Sequence, residues 1–142
     1  MGMKRKKINS PEPYESAGVP HDSHAKIYES MVLSEAYQDL TKNQQHLYTI
    51  MKLQRYGKRK PGSYAENEGI SELQGEDKFF FNRALAVKKY KLYGDKNRTQ
   101  FYKDIHALIE HGLIEVVSEG KPNHKKSIYK YSSKWKYWKA PP

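Results

Sequence analysis

Residues 97–131 read NRTQFYKDIHALIEHGLIEVVSEGKPNHKKSIYKY, and this stretch decides the fold. Asn97 can cap the start of a helix, with Gln100 at the capping-box position. Gly112 can end that helix, because glycine takes the left-handed conformation without steric cost. Between them, apolar side chains recur at the spacing of one helical face: Phe101, Ile105, Leu108 and Ile109. We therefore predict an amphipathic helix from Asn97 to Glu110.

Two strands and a basic tip follow this helix. Residues 113–117 are rich in strand formers, and Ser127–Tyr131 is the return strand, with Tyr129 and Tyr131 on one face. The connection KPNHKK, residues 121–126, is unsuited to a core and well suited to lie beside a phosphate backbone. A helix followed by a basic β-hairpin is typical of the second half of a winged helix-turn-helix.

The outer face of the predicted helix is polar. At 100° per residue, Thr99, Lys103, His106 and Glu110 point away from the apolar face, and Gln100 lies at its edge. Side chains of these kinds can donate to base edges or phosphates. The pattern predicts a helix that enters the major groove of DNA.

The upstream sequence supplies the first half of the fold. Residues 26–34 alternate loosely and indicate an edge strand or an extended lead-in. Ser34 can cap a short helix that ends at Leu40. Thr41 and Gln44 form a capping-box pattern at the start of the next helix, which Gly57 can end.

A strand and a further helix complete the predicted order of elements. Phe79–Phe81 is suited to a buried strand, and Asn82 can cap a helix that runs to Gly94. The order is helix, strand, helix, turn, helix, strand, wing, strand. It predicts an α+β winged helix-turn-helix, with a three-helix core, a small antiparallel sheet and a β-hairpin wing.

The domain limits follow from composition. From composition, we predict a flexible basic N-terminal arm at residues 1–25 and the winged-helix domain at residues 26–142. A mobile loop is expected at about 58–78, where glycine, proline and the main acidic cluster interrupt any helical or strand period. The acids there lack the alternation of a calcium loop, so they favour a solvated loop over a metal site.

Charge indicates the class of partner. The chain carries a net charge of +10, and residues 79–142 hold fourteen basic and five acidic residues. A one-signed field concentrated in one half predicts a polyanionic partner, and charge alone leaves DNA and RNA as alternatives. The predicted groove-binding helix and basic wing favour double-stranded DNA. The absence of cysteine excludes disulfides and cysteine-ligated zinc. With no apolar run of ~18 residues, we expect no membrane partner. The lack of cysteine and of a secretory signal favours the cytoplasm, and DNA binding would make the protein nucleoid-associated.

Two further features have alternative interpretations. Trp135 and Trp138 favour docking on the core over stacking on bases, because large rings rarely stay exposed.

His106 and Glu110 lie four residues apart, which would suit a metal-dependent enzyme. No second ligand cluster, phosphate loop or nucleophile motif accompanies them, so we expect no enzyme activity, no catalytic residue, no metal site and no cofactor.

Three short patterns carry a family resemblance: Phe101–Ile105, Glu110–Ile114 and Tyr129–Trp135. They resemble the winged-helix domains of replication proteins and related small helix-turn-helix proteins on plasmids, phages and conjugative elements of Gram-positive bacteria. The resemblance extends over roughly residues 26–138. It implies a DNA-binding protein of a mobile genetic element that acts in replication initiation or its control. A transcriptional regulator and a protein-docking winged helix are the alternatives.

The predicted contacts to DNA lie on the helix, on the wing and at the end of the preceding helix. A second copy of the chain and replication proteins are further candidate partners. The candidate DNA-binding residues are Lys88, Lys89, Asn97, Arg98, Thr99, Gln100, Lys103, Lys121, Asn123, His124, Lys125 and Lys126.

Overall fold

The computed structural model describes residues 10–54, 77–94, 97–118 and 127–142. Within these ranges the chain is α+β, with five α-helices, one 3-10 helix and one three-stranded antiparallel sheet. The helices are α1 (Glu29–Val32), α2 (Glu35–Asp39), α3 (Lys42–Lys52), α4 (Arg83–Lys88), α5 (Arg98–Glu110) and the C-terminal 3-10 helix (Lys134–Tyr137). The strands are β1 (Lys78–Phe80), β2 (Ile114–Ser118) and β3 (Ile128–Tyr131).

Several predictions fall on segments outside these ranges. They concern the end of the first long helix at Gly57, most of the 58–78 loop and the 121–126 tip. Lys78, which we placed in the loop, instead begins β1. Residues 10–25 contain no helix or strand, and the division between an arm and a domain stays a prediction.

Side-chain caps define the starts of three helices, as predicted. The Ser34 hydroxyl accepts from the Tyr37 N–H at 3.2 Å. The Thr41 hydroxyl accepts from the Gln44 N–H at 3.2 Å, while the Gln44 side chain accepts from the Thr41 N–H at 3.0 Å. Asn82 caps α4 in the same way. Each cap satisfies an N–H group that the first turn of a helix leaves without an intrahelical partner.

The core lies between α3, α5 and one face of the sheet. α3 packs against α5, and Phe81 stacks on Phe101 with ring centroids 6.3 Å apart. Tyr48 meets Tyr131 edge to face at 6.5 Å, which joins α3 to β3. Large side chains therefore fill the centre, and the fully buried ones include Leu47, Tyr48, Met51, Phe79, Phe101 and Leu108.

The sheet has the order β1-β3-β2, so the last strand lies in the middle. Phe79 pairs with Tyr129, and Ile114 pairs with Tyr131. Phe79 also stacks on Tyr131 at 4.6 Å, so Tyr129 and Tyr131 share a face, as predicted. β2 and β3 form the two arms of the predicted hairpin, with an irregularity between Val116 and Ser118.

The prediction of a strand or extended lead-in at residues 26–34 is wrong for its second half. Residues 29–32 form α1, and the Leu33 N–H donates to the Glu29 carbonyl at 2.9 Å. Ile27, Met31 and Val32 pack against the core. Met31 and Val32 are adjacent in α1 and both pack against the core, which fits a helix better than a strand, where neighbouring side chains point to opposite faces.

The prediction that the helix after Asn82 continues to Gly94 is also wrong. α4 ends at Lys88, and Lys91 and Tyr93 adopt positive φ angles of 58° and 57°. The turn lets the Leu92 N–H donate to the Ala86 carbonyl at 2.9 Å. It also directs the Tyr93 ring onto Phe101, edge to face at 5.5 Å. Packing against α5 therefore ends a helix that local periodicity would extend.

Candidate nucleic-acid interface

The outer face of α5 is open to solvent. The predicted outward residues Thr99, Lys103, His106 and Glu110 are all exposed, and so is Arg98 at the first position of the helix. The predicted apolar residues Phe101, Ile105 and Leu108 are buried. Ile109, which we also predicted on the apolar face, is partly buried. Periodicity therefore placed the predicted apolar and outward residues on the correct sides, but it missed the buried Asp104 and the exposed Tyr102. The exposed face carries hydroxyl, guanidinium and ammonium groups within the first two turns, where a groove-binding helix meets base edges.

A buried carboxylate anchors the opposite face of α5. Asp104 is only 1% exposed. It accepts from the Gln44 amide at 3.2 Å, the Gln100 amide at 2.9 Å and the Tyr93 hydroxyl at 2.6 Å. Burying a charge is costly unless hydrogen bonds compensate for lost water. The three donors come from α3, from the segment after α4 and from α5 itself, so this network fixes α5 relative to both neighbours.

The same network changes the acidity of a tyrosine. Burial, followed by the hydrogen bond and negative charge of Asp104, raises the pKa of the Tyr93 hydroxyl above its ordinary value. Tyr93 therefore keeps its proton and donates to Asp104 at neutral pH. Sequence reasoning missed both residues, although Asp104 lies on the apolar face, three residues after Phe101 and four before Leu108.

The predicted capping box at the start of α5 is wrong. Asn97 makes no side-chain cap hydrogen bond, and its φ of −99° and ψ of 42° lie outside the extended region that a capping residue normally adopts. Gln100 turns toward Asp104 instead of back to Asn97. An amide has a second N–H and a carbonyl oxygen, so the bond to Asp104 orients Gln100 and leaves groups that can contact a ligand.

Tyr102 belongs to the outer surface of α5, and sequence reasoning missed it. The side chain is 46% exposed, and the Arg98 guanidinium carbon lies 5.9 Å from its ring centroid. The ring also packs edge to face on Phe101 at 5.1 Å. This placement holds an aromatic side chain beside a cation, where it can contact sugar or a thymine methyl group. The sequence did contain a signal for this exposure, because the helical angle of Tyr102 lies between those of Arg98 and His106.

The remaining candidates divide into two groups. Lys88 lies in the last turn of α4 and Lys89 follows it, and both are exposed. The tip residues are outside the described ranges: Lys121, Asn123, His124, Lys125 and Lys126. The structure thus brings Arg98, Thr99 and Lys103 together on one exposed face.

The C-terminal segment docks on the core, as predicted. Trp135 and Trp138 are partly buried against it, and Trp138 stacks on His111 with ring centroids 4.3 Å apart. The other side of this junction involves α2, because His111 Nε2 lies 2.7 Å from an oxygen of Asp39. Lys134 Nζ lies 2.9 Å from Glu115 Oε1, and this ion pair joins the 3-10 helix to β2. The hydrogen bond from Lys134 lowers the pKa of the Glu115 carboxyl.

No three His, Cys, Asp or Glu side chains within the described ranges are close enough to hold a metal ion. Glu110, which could have paired with His106, has an oxygen 3.0 Å from Nδ1 of His111.

Among the described helices, none has both the length and the apolar character needed to cross a membrane. The chain matches no protein-family model, no curated protein and no solved structure.

Proposed function

We propose that this protein binds double-stranded DNA through a winged helix-turn-helix. In this proposal α5 enters the major groove and the tip between β2 and β3 lies on the phosphate backbone. Support comes from the order of elements from α3 to β3, together with a sheet in which β3 lies between β1 and β2. This is the arrangement expected when a helix-turn-helix is followed by a β-hairpin wing.

The observation that carries the proposal is the contrast between the two faces of α5. Thr99 and Lys103 are exposed on one side, while Asp104 is held by three hydrogen bonds on the other. An α-helix fits the major groove, which is about 12 Å wide. A rigid helix with an open polar face can enter that groove without rearrangement of the core.

The charge distribution supports contact with phosphates. Arg98 and Lys103 are exposed on α5, and Lys121, Lys125 and Lys126 lie on the hairpin tip by sequence. If roughly five to eight phosphates are neutralised, the logarithm of the affinity falls against the logarithm of the salt concentration with a slope of about −4.5 to −7. Arg98, Thr99 and Gln100 would supply sequence preference through base edges.

The biological role in this proposal rests on the family resemblance. It favours replication initiation, or its control, on a plasmid, phage or conjugative element. Transcriptional regulation uses the same contacts and is the alternative. The position of the selected site distinguishes them, since an initiator binds within a replication origin and a regulator binds beside a promoter.

The test begins with selection of duplexes from a random DNA library by the purified protein. Fluorescence anisotropy then measures the affinity of the protein for the selected duplex and for a scrambled duplex, at salt concentrations from about 50 to about 300 mM. We expect enrichment of one short motif and a steep negative salt slope. No enrichment together with a slope near zero would overturn the proposal and favour a protein-docking winged helix.

A further inference from the structure

A second surface, which includes no residue of α5, combines lysines with aromatic rings. A groove of about 590 Å³ lies between α1, the end of α3, the start of β1 and the 3-10 helix. This volume falls within the range of about 300–1,000 Å³ that small-molecule sites occupy. The charged and aromatic residues that line it include Lys26, Tyr28, Lys52, Asp77, Trp135 and Lys136. No residue of α5 lines this groove.

Two aromatic rings in this groove are held on fixed backbone. Tyr28 is 71% exposed, and its carbonyl accepts from the N–H groups of Met31 and Val32 at 3.0 and 3.2 Å, which fixes it at the start of α1. Trp135 packs partly on the core, and its N–H donates to the Gly112 carbonyl at 3.1 Å. An exposed ring on a rigid element offers a stacking surface at low entropic cost.

The cations of the groove lie close to aromatic rings. Lys136 Nζ is 5.9 Å from the Trp135 ring centroid, and Lys52 Nζ is 4.6 Å from the Tyr131 ring centroid. With Lys26, the lining carries three lysines against one acid, Asp77. Lys136 lies over the Trp135 ring, but it is exposed and its stem is flexible, so it can move aside to meet an anionic group while a planar group stacks on the ring.

The geometry points to single-stranded nucleic acid as the occupant of this groove. Trp135 is docked on the core but only partly buried, and it also lines the groove. Unpaired bases would therefore stack on Tyr28 and on the part of Trp135 that stays open to the groove, while phosphates would contact Lys26 and Lys136. Bases in a duplex are stacked on each other and cannot use the rings, and an acidic peptide would use the lysines without the rings. Aromatic platforms beside a cationic groove are how proteins hold single strands with little sequence preference. This inference rests on the groove itself and does not depend on α5.

The test uses a fluorescein-labelled twelve-nucleotide oligothymidylate and the full chain. Trp138→Phe leaves Trp135 as the remaining tryptophan of the two, so its fluorescence reports on the groove. We expect quenching of Trp135 as the oligonucleotide binds. Tyr28→Ala should weaken binding about tenfold, within the range measured for the loss of one stacking ring. Lys26→Ala combined with Lys136→Ala should make the salt slope less negative by about 1.4, or 0.7 for each lost phosphate contact.

Matched controls separate this site from general charge and from the proposed duplex site. Lys139→Ala removes an exposed lysine outside the groove and Tyr14→Ala removes an exposed ring elsewhere, and both should bind the oligonucleotide as the parent protein does. Lys103→Ala should weaken duplex binding and leave oligothymidylate binding unchanged. No quenching of Trp135, equal losses in Lys139→Ala and the groove variants, or equally strong competition by polyglutamate would each overturn the inference.

Discussion

The backbone N–H of Trp135 donates to the carbonyl of Gly112 at 3.1 Å, and a Cβ atom added to Gly112 would lie 2.7 Å from that same nitrogen. Gly112 follows the end of α5 with a φ of +81°. A residue without a side chain is therefore required both by the helix terminus and by the close approach of the C-terminal segment. One backbone position joins the proposed DNA-binding helix to the groove that Trp135 lines.

Gly112→Ala should lower the free energy of unfolding by at least about 2 kcal/mol. The left-handed conformation alone costs an L-residue roughly 1–2 kcal/mol, and the contact with backbone of Lys134 and Trp135 adds to it. Urea unfolding followed by tryptophan fluorescence measures the change. Gly94→Ala is the control, because nothing lies within 4 Å of a Cβ atom there. Equal stabilities of the two variants would contradict this account.

Tyr93→Phe should cost about 1.5–3 kcal/mol, because it removes a hydrogen bond to a buried charged group. The hydroxyl donates to Asp104 at 2.6 Å, and the phenylalanine ring preserves the packing on Phe101. Urea unfolding at neutral pH provides the measurement. Tyr137→Phe removes a hydroxyl from a side chain that is 82% exposed and should leave stability unchanged. A cost below ~0.5 kcal/mol for Tyr93→Phe would mean that the Asp104 network does not anchor α5.

Glu115→Gln should destabilise the protein at neutral pH and have little effect in acid. The hydrogen bond from Lys134 lowers the pKa of Glu115 below its ordinary value of 4.5. A carboxyl with a lowered pKa stabilises the folded state at neutral pH, and that contribution is lost as the pH falls through the folded pKa. We expect about 0.5 kcal/mol at pH 7, as for a surface pair.

The pairing is checked with a double-mutant cycle of Glu115→Gln and Lys134→Ala, from urea unfolding at pH 7 and near pH 3. The coupling energy between the two positions should be measurable at pH 7 and close to zero in acid. A coupling energy that does not change with pH would show that packing, and not charge, accounts for the effect.

Arg98→Ala should reduce the preference of the protein for its selected duplex over a scrambled one by at least about fivefold. One good bidentate contact to a base is worth roughly 1–3 kcal/mol of discrimination. Arg98→Lys retains the charge but loses the planar fork, so it should lose preference while keeping most of the salt dependence. Anisotropy titrations of both duplexes measure the ratio. An unchanged ratio in both variants would remove Arg98 from base reading.

Lys125→Ala combined with Lys126→Ala should weaken binding to all duplexes alike. If each lysine neutralises one phosphate, the salt slope should become less negative by about 1.8. Lys136→Ala combined with Lys139→Ala removes two exposed lysines from the C-terminal segment and so controls for the same loss of net charge. Loss confined to the selected duplex would assign the tip to base recognition and not to the backbone.

Local sequence was sufficient to predict most elements of the fold. The caps at Ser34, Thr41 and Asn82 connect groups three residues apart, so neighbouring residues determine them. The apolar period of α5 predicted its buried side, and therefore its exposed side. The hairpin after Gly112 followed from strand-forming residues on both sides of a polar tip.

Tertiary contacts decided what these local signals could not. Gln44 meets Asp104 across 60 residues and Asp39 meets His111 across 72, and no local pattern specifies either pair. The approach of Tyr93 to Asp104 ends α4 early, and Gln100 leaves its capping position to satisfy the same carboxylate. Periodicity thus determined which side of α5 is buried, since it needs only the helical repeat. The hydrogen-bond partners of the buried side are set by the tertiary structure. A buried carboxylate needs donors to replace water, and the fold decides which distant residues lie close enough to donate.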